Sequence, residues 1–179
     1  LARKFGVTEF TPDIQGDVLD NIVDYLNYVF VPVLIIYQFN MVPDQIKFFT
    51  AACILVVSCF TFANTKLKTE DNYFQGFPAV WNLAVFYLYI INTSEIVNSF
   101  ILIGLSVLTF VPIKYIHPFR VKEWRPFTLL VTLLWGISSL FLLLGNQLIY
   151  IDIIFWLWVI SSFYFMFISI KQSKKDKFF

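Results

Sequence analysis

GDVLDNIVDYLNYVFVPVLIIYQF, residues 16–39, carries two messages in one run. From position 19 onward it is apolar and long enough for a membrane helix, which needs roughly 17–25 such residues. Yet Asp17, Asp20 and Asp24 stand at its mouth. Insertion scales charge an Asp roughly 2.5–3.5 kcal/mol at mid-bilayer, and less near the interface. Three carboxylates in such a place need a reason.

Five more apolar stretches follow, at 46–64, 77–93, 96–113, 127–145 and 148–170. The third is the shortest, and is open to being tilted, re-entrant or extended into its flanks. The expectation is an all-α polytopic membrane bundle with six transmembrane helices in one domain, residues 1–179. No repeat, low-complexity tract or long linker divides it. Composition agrees: 59% of the 179 residues are hydrophobic, 22 of them Phe, and mean hydropathy is +0.74. A soluble core of this length could not bury so much apolar surface, which makes lipid the solvent. A net charge of +1 gives no electrostatic case for nucleic acid. Cys53 and Cys59 lie six apart in one apolar run, a spacing poorly suited to a disulfide.

The placement of charge tests these spans. If six helices alternate in direction, residues 1–16, 65–76, 114–126 and 171–179 share one side. Of the 13 basic residues, all but Lys47 fall there. The positive-inside rule makes that side cytoplasmic. The loops of the opposite side, at 40–45, 92–95 and 145–147, are short and nearly free of positive charge.

At about 100° per residue, Asp17, Asp20 and Asp24 fall within about 60° of arc, and Asp24 lies about 10 Å deeper than Asp17. Like charges so arranged repel. They are relieved by protonation or by a shared cation, and a hard divalent ion such as Mg²⁺ or Mn²⁺ suits oxygen ligands. Asp17 is better read as an acid favouring the helix N-terminus at the interface. Intramembrane acids also mark ion pathways, so an ion-coupled transporter stays open beside an enzyme. The only other deep acid is Asp152, near an outer end.

Ala2-Arg3, followed by GDVLDNIVD at 16–24, resembles the second half of the CDP-alcohol phosphatidyltransferase signature. That signature reads D-x-x-D-G-x-x-A-R, a spacer, then G-x-x-x-D-x-x-x-D. Gly16, Asp20 and Asp24 match its last three fixed positions, and Ala2 and Arg3 the earlier pair. The spacer, residues 4–15, is longer than usual. With TPDIQGDVLDNIVDYLNYVFVP (11–32), FQGFPAVWNLAVFYLYI (74–90) and LTFVPIKYIHPFR (108–120), it is similar to the phosphatidylcholine-forming bacterial branch. The likeness covers most of residues 1–120. The branch has about eight spans, so two more, each of roughly 20 residues, are expected upstream of Leu1. The D-x-x-D-G half is expected there too, and residues 1–179 alone are expected to be inactive.

The resemblance implies transfer of a phosphatidyl group from CDP-diacylglycerol to choline, releasing CMP, at a site open to the cytoplasm. Siblings in the family use serine, inositol or glycerol phosphate instead, and a homodimer is compatible with it. Divalent metal, Mn²⁺ or Mg²⁺, would be held by Asp20 and Asp24, with Asp24 the general base. Arg3 and Gly16 would line the CDP site: Arg offers bidentate phosphate contact, and Gly obstructs nothing. A quaternary ammonium is attracted by aromatic faces, which makes Tyr25, Tyr28, Trp81 and Tyr87 candidates for choline contact. Lys114, His117 and Arg120 are candidates for lipid phosphate.

Overall fold

The computed structural model describes residues 13, 15–64, 73–116, 118–119, 124–145 and 150–175. Within them the chain is a helical membrane bundle, α1 Gly16–Gln38, α2 Asp44–Ala63, α3 Trp81–Ile91, α4 Glu95–Leu108, α5 Arg125–Leu144 and α6 Ile151–Lys175. Two dipeptide strands, β1 Phe74–Gln75 and β2 Lys114–Tyr115, complete it. Four of the helices, α1, α2, α5 and α6, are long and apolar enough to cross a membrane.

The third and fourth stretches depart from expectation. The helix expected over 77–93 begins only at Trp81 and has 11 residues, and that expected over 96–113 ends at Leu108 after 14. At 1.5 Å per residue α3 covers about 16 Å, roughly half of a hydrocarbon core. The sequence before it cannot be helical. Pro78 biases Phe77 away from the α region, and Gly76 and Ala79 have positive φ, +79° and +55°.

Buried non-helical backbone survives only where its polar groups find partners in the protein. Here Gly76 N donates to the Ile113 carbonyl at 2.9 Å and Phe77 N to that of Leu108 at 3.1 Å. Antiparallel pairing sets Phe74 opposite Tyr115 and Gln75 opposite Lys114. Tyr73, Phe77 and Ala79 are buried. The loops before α3 and after α4 are thus tied into one hairpin at the basic end of the bundle.

The core gathers Val29, Val33 and Ile36 of α1, Ile54 of α2, Trp81, Val85 and Leu88 of α3 and Leu102 of α4. Lipid tails are as apolar as these side chains, so packing and polar contacts must hold the helices together. Trp81 is fully buried, and its Nε1 donates to Ser58 Oγ at 2.7 Å. That serine returns its own proton to the Ile54 carbonyl at 2.6 Å. Trp81→Phe, which drops the donor and leaves a smaller ring in the core, should cost at least about 1–2 kcal/mol. Thermal unfolding in detergent should register this as a fall of about 3–6 °C.

α5 and α6 form an antiparallel pair joined by a bond between Thr128 Oγ1 and Tyr164 Oη, 2.7 Å. α6 reaches the hairpin through two serines. Lys114 N donates to Ser173 Oγ (2.8 Å), and Ile116 N to Ser169 Oγ (3.1 Å). At the opposite end Lys47, the exception to the charge asymmetry, is buried. Its Nζ donates to Asp44 Oδ1 at 2.5 Å and Asn40 Oδ1 at 2.6 Å, and lies 5.2 Å from the Tyr37 ring centroid.

Candidate functional site

Asp17, Asp20 and Asp24 lie on the first helical segment of α1, Gly16–Tyr25, at the end that also carries the hairpin. Asp20 is exposed and Asp24 half-buried. A Cβ built on Gly16 would meet nothing within 4 Å among the described residues, so packing gives no reason for glycine there. Arg3, His117 and Arg120 lie outside the described residues.

The aromatic candidates enter different surroundings. Tyr25 fastens α1 to α2: its hydroxyl donates to the Leu55 carbonyl at 3.0 Å and accepts from Cys59 Sγ at 3.4 Å. Its ring meets Phe62 edge-on at 5.7 Å. Trp81 is the core donor already described. Tyr87 belongs to the contact between α3 and the α5–α6 pair, where its hydroxyl accepts from Trp135 Nε1 (2.9 Å) and bonds Ser162 Oγ (2.6 Å). Its ring lies 4.4 Å from that of Trp158. Tyr28 is the exposed one, on α1. Among the four, three rings thus have structural partners. Cys53 and Cys59 are free thiols, as their spacing required.

Lys114 is buried in the hairpin, with its Nζ 5.7 Å from the Tyr73 ring centroid. Its charge is engaged inside the fold more than a surface contact to lipid phosphate would imply. Burial also pushes the neighbouring Tyr115 phenol up from its ordinary value, keeping it neutral.

One feature escaped the sequence reading. A cavity of about 200 Å³ opens beside the hairpin, between Phe60 of α2, Asn64 just after it, Gln75 and Gly76, and the turn from Thr109 to Pro112. Gly76, Pro78 and Pro112 were the punctuation that marked it.

Among the described residues, no three His, Cys, Asp or Glu side chains are grouped to hold a metal. Asp20 and Asp24, one turn apart, supply two hard oxygen donors. That fits a Mg²⁺-type site, which takes one or two carboxylates and completes its shell with substrate phosphates and water.

No family model matches the chain, and no solved structure matches it. The phosphatidylcholine synthase of Pseudomonas aeruginosa is 40% identical over 178 residues, spanning 99% of this chain and 74% of that protein. The chain belongs to the phosphatidylcholine synthase family. Other phosphatidylcholine synthases agree: that of Mesorhizobium japonicum is 44% identical over 135 residues, 75% of this chain and 50% of its own length. That of Rhizobium meliloti is 40% identical over 144 residues, 80% of this chain and 60% of its own length. The chain therefore spans about half to three quarters of the phosphatidylcholine synthases it matches.

Proposed function

We propose that the full-length protein transfers the phosphatidyl group of CDP-diacylglycerol to choline, yielding phosphatidylcholine and CMP. The observation that carries this reading is the 40% identity to a phosphatidylcholine synthase along 99% of the chain. Gly16, Asp20 and Asp24, on one helical segment at the basic end, support it. By the positive-inside rule that end faces the cytoplasm of a bacterial inner membrane, where CDP-lipid and choline meet.

Asp24 accepts the proton of the choline hydroxyl as the oxygen attacks the phosphorus bearing the diacylglycerol. The new choline O–P bond forms, the bond from that phosphorus to the CMP oxygen breaks, and CMP departs. Asp20 and Asp24 would hold a divalent ion, which when bound offsets pyrophosphate charge and stabilises the leaving group. Gly16 keeps the mouth of α1 open to the nucleotide, and Arg3 supplies phosphate contact.

The test is full-length enzyme in mixed micelles with CDP-diacylglycerol and labelled choline, serine, inositol or glycerol phosphate. Label should enter lipid from choline alone. Chelation by EDTA should remove at least 95% of turnover, about a twentyfold effect within the several kcal/mol a metal supplies. Excess Mg²⁺ or Mn²⁺ should restore it. Equal incorporation of serine would move the reading to a sibling reaction, and full turnover in EDTA would remove the metal from it.

A further inference from the structure

Straight-helix arithmetic misplaces the carboxylates. Val29, Val33 and Ile36 are buried and mark the face that α1 turns to the bundle. Continued backward at 100° per residue, that face would carry Ile22, about 20° from Val29, and would leave Asp24 about 140° away. The structure shows the reverse. Ile22 is 51% exposed, while Asp24 is half-buried.

The cause lies between them. Leu26–Phe30 is a π-helical turn, and the Val31 N–H donates to the Leu26 carbonyl, five residues back. Such a turn takes up one extra residue, subtracts about 100° of rotation, and brings Asp24 to about 40° from Val29. Two local features favour it. The ring of Pro32 would clash with the Tyr28 carbonyl in α register. Asn27 Nδ2 donates to the Val23 carbonyl at 3.0 Å, the acceptor that the backbone N–H of Asn27 would use in an α-helix.

We infer that the π-turn Leu26–Phe30 is a positioning element for the reaction. By consuming one residue it turns Asp24 onto the side on which α1 packs, and its register matters more than its side chains. This rests on the proposed reading that Asp24 is the base.

The register gives an asymmetric test. Deleting Leu26 lets the helix close into a regular α-helix with Asp24 four residues before Val29, still about 40° away. Inserting one Ala after Leu26 adds a residue that a single π-turn cannot absorb, and returns Asp24 to about 140°. In full-length enzyme, the deletion should keep kcat within about tenfold of wild type. The insertion should lose at least a hundredfold in kcat, with the KM for CDP-lipid changed far less. Leu26→Ala, of unchanged length, should behave as wild type.

Pro32 strains a regular helix, so the deletion is also made with Pro32→Ala, which removes the clash. A deletion variant that folds yet is as inactive as the insertion overturns the inference, and so does an insertion as active as the deletion. Failure of both deletion variants to fold overturns it as well. Wild-type enzyme that makes no choline lipid refutes the functional reading instead, so the two failures are distinct.

Discussion

Asp24→Asn in the full-length enzyme should lower choline-dependent CMP release by about 10²–10⁴-fold, the contribution typical of a positioned general base. The substitution preserves shape and removes only the ability to hold a proton and a negative charge. Asp24 is half-buried two turns into α1, beside Tyr25, which anchors that helix to α2. An isosteric amide there should leave the Tyr25 bond to Leu55 intact, and thermal unfolding in detergent should match wild type. Asp17→Asn, at the start of the helix, serves as the comparison and should keep turnover within a few-fold. Unchanged CMP release from the Asp24 variant would remove it from the chemistry.

The largest structural effect is expected at Gly76. Its φ of +79° is a conformation that L side chains rarely adopt, and a Cβ there would strike the carbonyl oxygen of Thr109. The obstacle is backbone, so no rotamer change relieves it. Moving that backbone breaks the bonds from Gly76 N to Ile113 and from Phe77 N to Leu108. These bonds satisfy backbone groups of the buried extended segment. Strain of this kind and lost bonds together put Gly76→Ala at about 3 kcal/mol or more. Thermal unfolding should fall by roughly 6–12 °C. Gly104→Ala and Gly136→Ala, where a Cβ meets nothing within 4 Å, should be neutral or slightly stabilising because alanine favours helix. Equal behaviour of all three variants would refute the account.

The long spans were legible because a run of about twenty apolar residues in a chain this hydrophobic has few other readings. Residues 77–80 were misread as helix because hydropathy is the same for buried extended chain and for membrane helix. Pro78 and Gly76 were the better guide.

Within Gly16–Tyr25 the spacing of the aspartates was enough to place them on one face. Where that face points relative to the core could not be read, since a π-turn alters rotation without altering hydropathy. Aromatic residues posed a third kind of problem. Sequence shows that Trp81 and Tyr87 exist, but their partners Ser58 and Ser162 lie 23 and 75 positions away. Only the folded chain shows that their polar atoms are already in use.

Lys47 has a consequence for biogenesis. Carrying a lone cation across an energised membrane against the potential costs about 2.3 kcal/mol per 100 mV. On the proposed topology Lys47, in the first turn of α2, would have to be exported against that potential. Asp44, held to it at 2.5 Å, would cancel the charge, so that segment would cross as a nearly neutral unit. Asp44→Asn would leave the lysine to cross alone, so on that topology the ion pair that ties the finished bundle would also ease its assembly.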